Sequence, residues 1–205
     1  FFHYVTEVDP GAGADFHAAM EAGASLQTLA LIASLDWTGV TSICDVGGGT
    51  GAASHLLLQH LPTVDVTLFD LPAVVAEARP ELAEGPLAPR CSLVGGSFFE
   101  KIPAGHDRYL LLAIIHDWAD DEAVAILRQV RTALEGDARA LVIETTRPDR
   151  GRDAFAAASD LLMLTLASGR ERTSAQHRSL FAAAGLTLRA THALPTGFVA
   201  YELAG

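Results

Sequence analysis

Apolar positions in residues 14–35 recur three and four apart, with Phe16, Met20, Leu26, Leu29 and Ala30 on one face. This spacing predicts a helix, which Trp37-Thr38-Gly39 ends. The pattern then changes. Residues 42–46 are a short apolar run that stops at glycines, and residues 64–69 are β-branched and apolar, so both predict strands. Residues 92–95, 109–115 and 141–145 predict three more. Helices are predicted at 52–60, from 72 through 78, and at 121–134, the last with Val124, Leu127, Val130 and Leu134 inward. Residues 80–89 read as a loop. Strands that alternate with helices and are apolar almost throughout imply a parallel sheet covered on both faces.

The end of the chain differs. Helices near 153–167 and 174–184 precede strands at 187–192 and 198–202, which Leu194-Pro195-Thr196-Gly197 separates. So short a link permits only antiparallel pairing. The expected fold is α/β, a doubly wound and mostly parallel seven-stranded sheet finished by an antiparallel hairpin.

Composition narrows the function. The 205 residues fit a single domain, half of them apolar and 19% charged, which excludes disorder. A net charge of −11 argues against a nucleic-acid partner, because phosphate binding needs clustered Lys and Arg. No apolar run reaches membrane-spanning length, so no membrane partner is expected and a cytoplasmic location is the default. Cys44 and Cys91 lack metal-site or disulfide spacing. Phe1 is not an initiator Met, and the chain reads as beginning part-way along a longer protein.

Two stretches carry candidate chemistry. Asp45-Val46-Gly47-Gly48-Gly49-Thr50-Gly51 lies between the first strand and the next helix, where Gly47 and Gly49 allow a sharp turn and close approach of a ligand. Asp70 ends the second strand, placed to accept hydrogen bonds from two ribose hydroxyls. Three glycines after an Asp suit S-adenosylmethionine; Gly47-x-Gly49-x-x-Ala52 also satisfies a loose dinucleotide pattern. The second stretch is His116-Asp117-Trp118 at the end of the fourth strand, facing the same crevice. Helix capping is the expected role of Asp120. His116-Asp117 shows no convincing third metal ligand, and no metal is expected.

Asp-Val-Gly-Gly-Gly-Thr-Gly, Leu-Phe-Asp-Leu-Pro, Gly-Ser-Phe-Phe, Ile-Ile-His-Asp-Trp-Ala-Asp-Asp and Gly-Arg-Glu-Arg-Thr, in this order, resemble the small-molecule O-methyltransferases. That family includes plant caffeate and flavonoid enzymes, hydroxyindole O-methyltransferase and bacterial polyketide-tailoring enzymes. The resemblance runs from Phe16 to Tyr201. It implies a Rossmann-like methyltransferase domain over 41–205, with 1–40 as a linker and helix contributing to the pocket. It further implies His116 as general base with Glu144 and Glu171 beside it. Asp45, Gly47, Gly49, Asp70, Leu71, Ser97, Phe98 and Trp118 would contact the cofactor, and Phe16, Met20 and Met163 the substrate.

The implied reaction moves a methyl group from S-adenosylmethionine to a phenolic or enolic hydroxyl of an aromatic or polyketide metabolite, leaving S-adenosylhomocysteine. The Ala-, Arg- and Gly-rich composition points to a GC-rich bacterium, where such enzymes decorate antibiotics. Carbon or nitrogen acceptors, a hydroxylase or decarboxylase that keeps the cofactor as a structural ligand, a dehydrogenase, and a non-catalytic interaction domain are the alternatives. Three departures stand out. Ser97 replaces the family's usual Asp, Leu112 stands where plant members have Lys, and the amino-terminal domain that dimerises family members is expected to be absent here.

Overall fold

A computed structural model describes residues 10–148, 153–166 and 169–205, with side chains from residue 20 onward except that of 166. Eight strands form the sheet: β1 (Ser42–Val46), β2 (Asp65–Asp70), β3 (Cys91–Gly95), β4 (Arg108–Leu112), β5 (Arg139–Arg147), β6 (Arg172–Thr173), β7 (Thr187–Ala193) and β8 (Phe198–Ala204). Their order is β3-β2-β1-β4-β5-β8-β7, with β6 pairing the end of β5. β1 to β6 pair in parallel; β8 lies antiparallel to both β5 and β7. The chain runs outward from β1 to β3 and returns to β4 on the other side of β1. The crevice beyond the carboxyl ends of β1 and β4 is therefore the switch point where such sheets bind ligands.

Helices cover both faces: α1 (Pro10–Ser34), α2 (Ala52–His60), α3 (Pro72–Val75), α4 (Pro80–Ala83), α5 (Asp120–Ala133), α6 (Ala154–Leu166) and α7 (Ser174–Ala183). Alternate residues of β4 and β5 point to opposite sides, which is why the stretches 109–112 and 140–143 are apolar at every position. Tyr109, Leu111, Ala140 and Val142 pack with Ile126, Leu127 and Val130 of α5 and Phe181 of α7. Leu110, Leu141 and Ile143 pack with Leu31 of α1 and Leu57 and Leu58 of α2. α7 starts with a capping box: Thr173 accepts from the Gln176 amide while the Gln176 side chain accepts from the Thr173 amide.

His177 of α7 lies buried against Phe181 and Tyr201, ring centroids 6.0 and 4.9 Å away. Burial first, then the Arg172 charge and His116, push its imidazole down to about 3. The folded protein thus holds His177 neutral, while the unfolded chain takes up a proton below about pH 6.5. Stability is accordingly lost as pH falls from 6.5 toward 3, by up to about 1.4 kcal/mol per pH unit. His177→Phe keeps the aromatic stack and is expected to flatten that loss, measured as urea midpoints between pH 6.5 and 4.5.

The structure departs from the sequence reading in several places. The strand predicted at 109–115 ends at Leu112, where its ladder with β5 stops. Ala113 then takes a left-handed φ of 54°, and a 3₁₀ turn occupies Ile115–Asp117, so His116 sits on a turn rather than on the strand. The loop predicted at 80–89 contains α4, and a 3₁₀ turn follows at Ala88–Arg90. β6 is an additional two-residue strand beyond the seven expected. The apolar face predicted for the first helix is not the buried one: Met20, Leu26 and Leu29 are exposed, and Gln27, Thr28 and Leu31 are inside. Both polar residues are satisfied, Thr28 by the Ala24 carbonyl one helical turn back and Gln27 by Thr196 on the distant β7–β8 turn. Asp120 is the first residue of α5 instead of its cap, which is Ala119; arginines draw its carboxylate away.

Candidate functional site

The glycine turn follows β1. Gly47, Gly49 and Gly51 take φ of 72°, 60° and 96°, a left-handed conformation that favours glycine. The Gly47 amide donates to the Phe69 carbonyl at 2.8 Å, which ties the turn to the end of β2. A Cβ on Gly48 would lie 2.6 Å from Asp45 Oδ2 and would also collide with Leu68. Gly48→Ala is therefore expected to cost about 2 kcal/mol, seen as a lower thermal midpoint. Gly49 differs: among the described residues nothing lies within 4 Å of its missing side chain, so the turn is open there to a ligand.

Asp70 faces that opening. Its Oδ2 accepts from the Gly49 amide at 2.8 Å and its Oδ1 from the Leu71 amide at 2.6 Å. Asp45 is buried behind the turn, where Oδ2 accepts from Ser54 at 2.7 Å. Burial pushes its carboxyl up to about 6, the Ser54 hydrogen bond opposing this and Asp70 adding to it. In this geometry Asp45 braces the turn from beneath. Phe98 and Trp118 meet edge-on with centroids 5.8 Å apart, and Phe99 lies 4.8 Å from Trp118. Ser97 Oγ accepts from the Phe99 amide at 3.3 Å, which shapes the same bend.

The second turn follows β4 and carries His116. Ala113 stores left-handed strain of about 1–2 kcal/mol. It redirects the chain so that the Ile115 amide donates to Glu144 Oε1 at 2.7 Å. His116 Nδ1 lies 3.1 Å from Glu171 Oε1 and 3.7 Å from Glu144 Oε2. Both carboxylates are buried, and among the described residues neither Glu144 Oε2 nor Glu171 Oε2 has a hydrogen-bond partner. Ser159 of α6 donates to Glu171 Oε1 at 2.6 Å, and Asp160 Oδ1 accepts from the Glu171 amide at 2.9 Å.

Burial alone would push His116 down, but the Glu144, Glu171 and Asp117 carboxylates outweigh it and hold the imidazolium up. Burial pushes the Glu144 carboxyl up, and His116 opposes that rise. The sequence showed no third donor beside His116 and Asp117. The fold brings in two, with one donor atom each from His116, Glu144 and Glu171 all within 4.8 Å of one another. A proton on His116 supplies the positive charge such a set attracts.

Residues 169–172 clamp this turn. The Arg170 amide donates to the His116 carbonyl at 2.9 Å. A Cβ on Gly169 would sit 2.6 Å from the Asp117 carbonyl carbon and closer still to His116 O, so only glycine allows the approach. Arg172 is fully buried. Its Nη1 donates to the Ile115 carbonyl at 2.9 Å, its Nη2 to the Trp118 carbonyl at 2.7 Å, and Nε and Nη2 to Asp120 Oδ1 at 3.0 and 2.8 Å.

Residues 2–187 match the O-methyltransferase domain. The chain belongs to that family. It is 37% identical over 196 residues to the mitomycin biosynthesis 6-O-methyltransferase of Streptomyces lavendulae, covering 96% of this chain and 55% of that protein. The chain thus spans about half the length of the curated relatives it matches. The structure of the mitomycin 7-O-methyltransferase is similar, with a TM-score of 0.92 at 35% identity, over 99% of this chain and 60% of that one. An O-methyltransferase from neocarzinostatin biosynthesis, solved with S-adenosylmethionine and 2-hydroxy-5-methyl naphthoic acid, matches with a TM-score of 0.85 at 34% identity, over 96% of this chain and 58% of that one.

In this O-methyltransferase domain the residues singled out from sequence fall into three groups. His116, Glu144 and Glu171 meet directly. Gly47, Gly49, Asp70, Leu71, Ser97, Phe98 and Trp118 border the crevice, and Gly47 links the two turns: a Cβ there would lie 2.6 Å from Ile114 Cδ1 and 3.5 Å from Phe98. The substrate candidates are less gathered. Met20 is exposed, Met163 half-buried on α6, and the Phe16 side chain lies outside the described residues. Sequence reasoning missed Arg172, Ser159, Asp160 and Ala113. Arg172 stands inside a quoted motif, whereas Ser159 and Asp160 carry no sequence signal.

Proposed function

We propose that the protein transfers a methyl group from S-adenosylmethionine to a hydroxyl of a small aromatic or polyketide-type metabolite, with His116 as general base. The observation that carries this reading is His116 held through Nδ1 by buried Glu171 on the rim that also bears the glycine turn. The cradle fits the cofactor: Gly49 is open and Asp70 presents a carboxylate at the ribose position, with Phe98 and Trp118 beyond it. Asp45 supports the turn, and Leu71 and Ser97 would border the adenosine. When bound, S-adenosylmethionine supplies a methyl group on a positively charged sulfur, which an oxygen nucleophile displaces in line.

The chain's own residues prepare that nucleophile. A phenol with a pKa near about 10 is mostly protonated at neutral pH. His116 takes its proton at Nε2, the nitrogen Glu171 does not hold, and Glu171 fixes the tautomer by accepting from Nδ1. Glu144 and Glu171 stabilise the imidazolium as it forms. Phe16, Met20 and Met163 are the proposed acceptor wall. A cytoplasmic location and a homodimer of the full-length protein are part of the same reading. Exposed Phe155, Leu161 and Leu164 on α6 and Leu26 on α1 offer such a dimer apolar surface to bury. Among the described residues, no helix is long and apolar enough to cross a membrane.

Calorimetric titration with S-adenosylhomocysteine tests the cofactor assignment, with nicotinamide adenine dinucleotide as control. Micromolar binding of the first alone is expected, weakened about tenfold or more in Asp70→Ala by loss of hydrogen bonds from a charged acceptor. Dinucleotide binding in its place overturns the reading.

A further inference from the structure

Where α1 passes the glycine turn, three residues close a ring that methyl-transfer chemistry leaves unused. Thr50 Oγ1 donates to Glu21 Oε1 at 2.8 Å. Glu21 Oε2 pairs with Arg79 Nη2 at 3.0 Å. The Arg79 amide in turn donates to the Thr50 carbonyl at 3.0 Å. Glu21 comes from α1, Thr50 from the turn itself, and Arg79 from the residue before α4.

Thr50 sits between Gly49 and Gly51, both in left-handed backbone. Glycines restrain the chain weakly, so contacts made by Thr50 set much of the turn's position. On the other side, α1 is fastened toward its carboxyl end by buried Leu31 and by Gln27 against Thr196. Among the described side chains, Met20 and Leu26 are outward, with Met20 about half exposed. Glu21 thus ties this stretch of α1 to the turn, and its neighbour Met20 belongs to the proposed acceptor wall.

We propose that Glu21 is a positioning residue that couples the glycine turn to the acceptor-lining stretch of α1, so that filling the turn orders the wall. The inference rests on the turn being the S-adenosylmethionine site. Glu21 and Arg79 side chains are 40% and 30% exposed, so their ion pair is screened and weak on its own. The shared hydrogen bond to Thr50 adds to it, and the expected coupling is about fivefold, at the low end for communicating sites.

Hydrogen exchange with and without S-adenosylhomocysteine reads this coupling. In the wild-type protein the ligand is expected to slow exchange over 47–54 and, about fivefold, over 20–28. Glu21→Ala keeps the slowing over 47–54 and loses it over 20–28. Glu21→Gln, which still accepts from Thr50 but loses the charge facing Arg79, falls between. The ratio of exchange with and without ligand decides the matter, since a helix merely loosened by the substitution exchanges faster in both states at an unchanged ratio. That result overturns the proposal, as does a Glu21→Ala protein with wild-type slowing over 20–28. Slowing confined to 47–54 in the wild type also overturns it while leaving the cofactor reading intact. Slowing in neither segment overturns both.

Discussion

Methyl transfer is expected to fall about 10²–10⁴-fold in His116→Ala, the usual contribution of a positioned general base, while S-adenosylhomocysteine affinity is expected to stay within a fewfold of wild type. The two readouts separate because His116 touches the reacting hydroxyl in this reading, whereas the glycine turn and Asp70 hold the cofactor. Retention of near-full methylation by His116→Ala would sink the general-base role. The pH profile adds a second handle. The surrounding carboxylates raise the folded-state pKa of His116. The base form therefore gains population only as pH climbs, and kcat/KM rises with pH. Glu171→Gln still accepts from Nδ1 but removes one negative charge, so the rising limb moves to lower pH. A limb that belonged to the acceptor's own phenol would not move.

Arg172→Met is expected to cost about 3 kcal/mol of folding stability, measured by urea unfolding, and to lower turnover as well. The guanidinium is fully buried and bonds the Ile115 and Trp118 carbonyls on either side of His116. Met fills similar space but leaves those carbonyls without their donor, and it leaves Asp120 with Arg170 alone. Released at both ends, the turn no longer fixes His116 against Glu171. Arg172→Lys is expected to rescue little, because a single ammonium cannot reproduce a planar fork that reaches three acceptors at once. A Lys variant with wild-type stability and turnover would show that charge alone suffices and that the fork does not position the turn.

Much of the reacting site was legible because its residues stand at the carboxyl ends of recognisable strands. The Asp45–Gly51 stretch and Asp70 could be paired from spacing, since parallel βα units repeat their geometry. His116 was found by the same logic, although it sits one turn later than the strand pattern implied. Ala113 explains the offset: a left-handed alanine is not signalled by composition, and periodicity continues across it. Glu171 was harder to read. Between Arg170 and Arg172 it resembles part of a solvated charge run, yet the fold buries Glu171 and Arg172 and leaves Arg170 half-exposed beside Asp120. Local sequence has no means of expressing that difference, because the partners lie 11 to 57 residues away in Asp160, Ser159, His116 and Ile115.

α1 shows the opposite failure. Its apolar spacing predicted the helix and the wrong buried face, since Thr28 inside bonds its own helix at Ala24 and Gln27 found in Thr196 a partner that only the folded chain provides. By itself the sequence determined the alternation of strands and helices, the terminal hairpin, the glycine turn with its acidic partner, and family membership. These depend on periodicity and on residues close along the chain. Tertiary structure alone decided which charges are buried, that Arg172 braces the turn carrying His116, and that Glu21, Thr50 and Arg79 close a ring. Burial and pairing of charge depend on distances between segments far apart in sequence, and folding alone sets those distances.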